Sequence, residues 1–172
     1  MASALKNLSD YDENSLPAAE EMNFGIVVAD WNKEITHALY EGCYDTLTKH
    51  GASPDNIFTA QVPGAFELPV GAKLLAGQHR LDAIICLGCV IKGETAHNEY
   101  INNAVASGLA TLGIASGKPI IYGVLTPNDQ QQAKDRSGGK HGNKGVEAAV
   151  TAIRMGALKE ELKVVGKKGI GF

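Results

Sequence analysis

At 172 residues, with 44% hydrophobic and 20% charged positions, the chain is long enough to bury one ordinary core as a single globular domain. Its formal charge of −3 is concentrated in Met1 to Met22, where Lys6 stands against Asp10, Asp12, Glu13, Glu20 and Glu21, so no basic surface for nucleic acid is implied. No apolar run reaches the length of a membrane span, the acidic leader lacks the parts of a signal peptide, and an odd three cysteines argue against a disulfide framework, so a cytoplasmic location is the expectation.

After the polar leader, Phe24 to Ala29 is a continuous apolar strand, broken by Asp30-Trp31-Asn32. Ile35, Leu39, Cys43 and Leu47 then recur at helical spacing until Gly51. Ile57 to Val62 predicts a second strand, ended by Pro63-Gly64, and Phe66 to Leu75 a short helix closed by Gly77. Ala83 to Leu87 is a third strand. The segment from Thr95 to about Ala115, with Ile101, Val105, Leu109 and Leu112 on one face, is a helix ended by Gly117. Pro119 to Leu125 is a fourth strand, Asp129 to Arg136 a short helix, and Val146, Ala149, Val150, Ile153 and Ala157 mark the apolar face of a last helix. Alternating strands and helices, with strands apolar on both faces, predict a parallel sheet covered on both sides. The expectation is a three-layer α/β/α sandwich with a four-stranded parallel sheet, flavodoxin-like. Its boundaries are a leader over 1–22, one domain over 23–163 and a frayed tail over 164–172.

Ligands of such sheets bind beyond the carboxyl ends of the strands, which here deliver Trp31, the Pro63 to Glu67 turn, Cys89 to His97, and Thr126 to Asn128. The stretch Gly88 to Tyr100, GCVIKGETAHNEY, is the richest of these. A strand ending in glycine and opening a helix aims free N–H groups at an anion, and His97, about one turn inside, would stand within proton-transfer reach. A surface helix capped by Thr95 is the equal alternative. Trp31 is either packing or an aromatic platform for a planar ring. Glu67 either complements a helix dipole or accepts hydrogen bonds from a polyol or amine. Arg136 and Lys144 are solvated charges or the counterions of a phosphate, and the glycine-rich loop between them, Gly138 to Gly145, is a hinge or an anion-binding lid.

Other readings fall away. Cys86 and Cys89 form a CxxC, but Cys86 lies inside a strand, where a separation of three sends the thiols to opposite faces, so buried free thiols are expected. No second cysteine pair completes a zinc site, and the histidines are scattered, so no metal is expected. Lys144 is followed by Gly145 where a P-loop needs Ser or Thr, and the first strand lacks GxGxxG, so neither ATP nor a dinucleotide is implied.

Four stretches together carry a resemblance. They are Val62-Pro63-Gly64-Ala65-Phe66-Glu67-Leu68-Pro69, Val90-Ile91-Lys92-Gly93-Glu94-Thr95-Ala96-His97, Tyr122-Gly123-Val124-Leu125-Thr126, and Arg136 with Gly142-Asn143-Lys144-Gly145. In this order the chain, over about Asn23 to Leu162, resembles the 6,7-dimethyl-8-ribityllumazine synthase family. The resemblance implies condensation of 5-amino-6-(D-ribitylamino)uracil with 3,4-dihydroxy-2-butanone 4-phosphate, releasing phosphate and water, in riboflavin biosynthesis and without a cofactor. By the same resemblance Trp31, where the family more often has Phe, would stack on the uracil. Ala65, Phe66 and Glu67 would hold ring and ribityl chain, and Cys89, Val90 and Ile91 would read the uracil edge. Glu94 and Thr95 would bind the phosphate, with Arg136 as its cation and Lys144 as a weaker second. His97 matches the acid/base, and Tyr122 an aromatic position reaching the pyrimidine from a neighbouring subunit. Glu94 departs from what a phosphate turn wants unless its side chain points outward. The family forms pentamers, and the Gly138 to Gly145 loop is similar to that of members that build 60-subunit shells. An association with riboflavin synthase is left open. The competing classes are a flavin-binding or storage protein without catalysis, which would need neither Arg136 nor His97, and a purely structural shell.

Overall fold

The computed structural model describes Asn7 and residues 9–168. Four strands, β1 (Phe24–Ala29), β2 (Ile57–Val62), β3 (Ala83–Cys89) and β4 (Ile120–Leu125), form one parallel sheet in the order β2-β1-β3-β4. The register sets Ile26 beside Thr59 and Ile85, and Cys86 beside Tyr122. Helices α1 (Lys33–Lys49), α2 (Leu68–Gln78) and α3 (His97–Ser116) make the crossovers. Beyond them come α4 (Gln130–Asp135), a small antiparallel pair of β5 (Ser137–Gly139) and β6 (Gly142–Asn143), and α5 (Lys144–Lys168).

The α/β sandwich expected from the alternating pattern is the observed fold. Every residue of β1 and β3 is buried, because both faces of the sheet are covered. Ile26, Val28, Ile85 and Leu87 pack with Ile35, Leu39, Leu47 and Ile153 of α1 and α5. Val27, Ala29, Ile84 and Cys86 pack on the opposite face with Leu68, Leu75, Val105 and Leu109 of α2 and α3. Cys86 and Cys89 thus fall on opposite sides of the sheet, as their odd separation requires. On the α5 side, α1 and α5 approach closely at Gly145, where a Cβ would run into the Leu39 carbonyl oxygen.

Several boundaries move. α3 begins at His97 rather than Thr95, so the connection from β3 is longer and His97 opens the helix instead of standing a turn inside it. α2 runs through Gly77 to Gln78. The glycine-rich loop is a short hairpin, with Gly138 and Gly142 at φ 120° and 82°, values that favour glycine. α5 continues to Lys168, past position 163, and the last positions of the expected tail, 169–172, lie outside the described residues, as do 1–6 and 8 of the leader. The rest of the leader is anchored: Tyr11 Oη lies 2.9 Å from His50 Nε2, and the Ser9 hydroxyl donates to the Asn143 carbonyl at 3.0 Å.

Candidate active site

In a sheet of this order the crossover direction reverses between β1 and β3, and a crevice opens beyond their carboxyl ends. The turn after β1 is pinned there. Asp30 and Trp31 donate their N–H groups to the Val62 and Pro63 carbonyls at 2.8 and 3.1 Å, which ties it to β2. Asn32 takes the left-handed conformation, φ 62°, that asparagine tolerates better than most residues. Its Nδ2 donates to the Cys89 carbonyl at 2.8 Å, which ties the same turn to β3. Held by both neighbours, Trp31 stands out into solvent, 73% exposed.

A pocket of about 410 Å³ occupies this crevice. Trp31 and Asn32 form one wall, the Gly64 to Glu67 turn a second, and Cys89 to Ile91 the floor. Gly93, Thr95, His97, Asn98 and Ile101 close it from the start of α3. The turn at Ala65–Glu67 is a single 3-10 step leading into α2; Ala65 is buried, while Phe66 is 55% exposed at the rim. The Val90 N–H is spent on the Leu125 carbonyl at 2.8 Å, and the Lys92 N–H on that of Pro127 at 2.9 Å, so the segment after β3 is fastened to the end of β4.

α3 starts without a side-chain cap on its Ala96 boundary residue. Thr95 Oγ1 receives the His97 N–H only at 3.4 Å, so the positive end of a 20-residue helix faces the pocket side of Gly93 and Thr95. Glu94 is exposed and absent from the pocket wall. Cys89 lines the floor, but burial pushes its thiol up to about 12, which leaves it a neutral group and no nucleophile. Among the described residues no group of three or more His, Cys, Asp and Glu is placed to hold a metal.

The expected site residues therefore divide. Trp31, Ala65, Phe66, Glu67, Cys89, Val90, Ile91, Thr95 and His97 converge on one pocket. Tyr122, Arg136 and Lys144 do not. Tyr122, on the edge strand β4, lines a separate groove with Lys144, Glu147, Thr151 and Met155, and burial raises its phenol. Arg136 donates through Nη2 to Glu147 Oε1 at 2.7 Å and through Nη1 to the His141 carbonyl at 2.8 Å. Lys144 Nζ meets the other Glu147 oxygen at 3.0 Å. Glu147 thus bridges both cations and leaves the cluster net positive. Sequence reasoning gave no site role to Asn32, Asn98, Ile101 or Glu147. The Lys144 to Glu147 spacing of three on a helix was the readable signal for the last.

The fold and pocket define a class: an open parallel α/β protein with a pocket of small-molecule size at its carboxyl edge, lined by an exposed aromatic face, the Gly64 to Glu67 turn and a helix start. The family model for 6,7-dimethyl-8-ribityllumazine synthase matches residues 21–160. The chain is 55% identical over 155 residues to the 6,7-dimethyl-8-ribityllumazine synthase of Parabacteroides distasonis, covering 90% of this chain and 97% of that one. It is 50% identical over 159 residues to the enzyme of that name from Porphyromonas gingivalis, covering 92% and 99%. To the one from Cytophaga hutchinsonii it is 54% identical over 155 residues, covering 90% and 97%. The chain belongs to the 6,7-dimethyl-8-ribityllumazine synthase family, and it is an enzyme of riboflavin biosynthesis.

Proposed function

We propose that this enzyme forms 6,7-dimethyl-8-ribityllumazine in the pocket between Trp31 and His97, from 5-amino-6-(D-ribitylamino)uracil and 3,4-dihydroxy-2-butanone 4-phosphate. The observation that carries the reading is the convergence, in one 410 Å³ crevice, of an exposed aromatic ring, acceptors, a helix start with only a long Thr95 bond to it, and an imidazole. Trp31 stacks on the uracil. Val90 meets the uracil edge through its carbonyl, its N–H being already engaged, and Cys89 and Ile91 complete that floor. Ala65, Phe66 and Glu67 hold the ring and the ribityl chain. Thr95 and the backbone of Gly93 and Glu94 receive the phosphate, with the Glu94 side chain turned away.

The 5-amino nitrogen adds to the ketone carbon, and loss of water gives the imine. Removal of the proton on the carbon beside the imine expels phosphate with the C–O bonding pair. After tautomerisation, the ribitylamino nitrogen attacks the newly formed carbonyl and a second water leaves as the ring closes. His97 at the helix start carries protons between these centres, a task suited to an imidazole at neutral pH. An amine and a ketone of this reactivity need alignment more than activation, so holding the two in register supplies most of the rate.

The pocket is completed by a neighbouring subunit, which brings Tyr122, Arg136 and Lys144 to its open side. What supports this is the placement of Tyr122 and Lys144 in a separate groove on β4 and α5 of their own chain, with Arg136, at the end of α4, ion-paired to Glu147 of that groove. Apolar surface accompanies them: Ile114 of α3 and Leu158 and Leu162 of α5 stand exposed along a groove of about 660 Å³. Only Val105 and Leu109 of the long helix α3 are buried in the single chain. The assembly is a pentamer, and the glycine-bearing hairpin favours a 60-subunit shell. Mixing the two substrates with the protein and following the fluorescent lumazine tests the reaction; a bound yellow chromophore without product would overturn it. Light scattering during size-exclusion chromatography tests the assembly, and a monomer would overturn the shared site.

A further inference from the structure

The strands that flank the crevice part at its mouth. β1 pairs with β2 as far as Ala29 beside Val62, and the N–H groups of Asp30 and Trp31 carry that ladder on to the Val62 and Pro63 carbonyls. With β3 the pairing of β1 ends earlier, at Val28 beside Leu87. The turn that bears Trp31 is thus held to β2 by main chain. Among the described residues its hydrogen bond to β3 is the one from Asn32 Nδ2 to the Cys89 carbonyl, at 2.8 Å. A carbonyl only accepts, so the amide must present its nitrogen there.

Two features show that Asn32 is committed to this bond. It stands at the N-cap of α1, where an asparagine side chain ordinarily accepts an N–H of the first turn, yet it makes no such bond. Its backbone is left-handed, φ 62° and ψ 45°, the one non-glycine residue with positive φ among the described residues. Such conformations are unfavourable, persist where surrounding contacts over-determine them, and cluster at ligand sites. Trp31, Asn32 and Cys89 all line the pocket.

We propose that Asn32 is a positioning residue, a clasp across the gap between β1 and β3 that fixes the exposed Trp31 ring at a set distance from the Cys89 to Ile91 floor. The slot for a planar ring is then formed before substrate arrives. The inference rests on the reading of Trp31 as the platform for the uracil. A ring fixed beforehand need not be ordered on binding, and this appears as affinity for the aminouracil and not for butanone phosphate.

Trp31 is the chain's single tryptophan, so its fluorescence reports on the clasp directly. Asn32→Gly deletes the side chain and keeps a backbone at ease with positive φ. Asn32→Asp keeps the shape but sets a carboxylate oxygen against the Cys89 carbonyl. In the full-length enzyme without ligand, the time-resolved anisotropy of Trp31 should show a larger fast component in both variants than in wild type. The KM for the ribitylaminouracil should rise roughly three- to ten-fold in Asn32→Gly, the cost of ordering one side chain on binding, and further in Asn32→Asp. The KM for butanone phosphate should stay within about two-fold. In a Trp31→Ala background, Asn32→Gly should change the aminouracil affinity by less than about two-fold, because a residue that acts through the ring then has nothing to position. Unaltered anisotropy, an unchanged KM for the aminouracil, or an equal rise in both KM values overturns the inference. A full effect in the Trp31→Ala background does so too, since it would make Asn32 a direct substrate contact. If Asn32→Gly fails to fold, Asn32→Asp is read in its place. Should wild type form no lumazine, the reaction reading has failed; the anisotropy of the free protein then decides the clasp by itself, equal traces overturning it.

Discussion

Replacing Trp31 by alanine separates what the ring does for the fold from what it does for the substrate. The side chain is 73% exposed, so the fold covers about a quarter of it. For a ring that buries roughly 200 Å² when fully covered, that is about 50 Å², or about 1.3 kcal/mol at most. In a chain of this size such a loss moves Tm by no more than about 5 °C. Stacking on a pyrimidine is worth roughly 1–3 kcal/mol, a factor of about 5 to 150 in affinity. Trp31→Ala should therefore weaken binding of the aminouracil by one to two orders of magnitude in a fluorescence or calorimetric titration, with a nearly unchanged melt. Trp31→Phe should restore most of the affinity. An affinity within three-fold of wild type for Trp31→Ala would show that the ring is not a platform, and a fall in Tm beyond about 10 °C would show that it is part of the core.

The shared site predicts complementation. His97→Ala should slow turnover by less than about a hundred-fold, the low end for a proton-transfer group, and Arg136→Ala should raise the KM for butanone phosphate more severely. Refolding the two variants together should then restore activity at about a quarter of the sites by random pairing; no gain over the separate variants would place pocket and arginine in one chain. Gly145→Ala drives a methyl into the Leu39 carbonyl and should cost about 3 kcal/mol or more, with a matching loss of Tm by calorimetry. A wild-type melt would contradict the close approach of α1 and α5. The Cys86 and Cys89 thiols are pushed up to about 12 by burial. The unfolded chain sheds those protons above about pH 8.5 while the folded chain keeps them, so stability is complete below that pH and declines as pH rises toward 12. Urea midpoints between pH 8 and 10 should fall less steeply for Cys86→Ala, and an unaltered slope would remove that thiol from the account.

Much of the pocket was legible because its parts are local. Each of the Trp31, Ala65 to Glu67 and Cys89 to His97 stretches lies at the carboxyl end of a strand, and a parallel sheet gathers such ends at one edge whatever its strand order. His97 was misplaced by a turn because backbone bonds from Val90 and Lys92 to the end of β4 keep that connection extended, a long-range effect that helix periodicity does not register. Asn32 escaped notice because its importance lies in a left-handed backbone and one bond to the Cys89 carbonyl.

The sequence by itself determined the layers, through hydrophobic patterning, and pointed to the family, through the resemblance of four contiguous motifs, since both are properties of consecutive residues. Only the tertiary structure decided that Tyr122, Arg136 and Lys144 stand apart from the pocket. Their positions depend on how the edge strand β4 and the start of α5 pack, and on Glu147 bridging two cations. It likewise decided that Glu94 stays off the pocket wall and that the Asn98 oxygen is left without a partner. The direction of a side chain, and the presence or absence of a partner for it, is set by elements distant in the chain, and no local pattern encodes it.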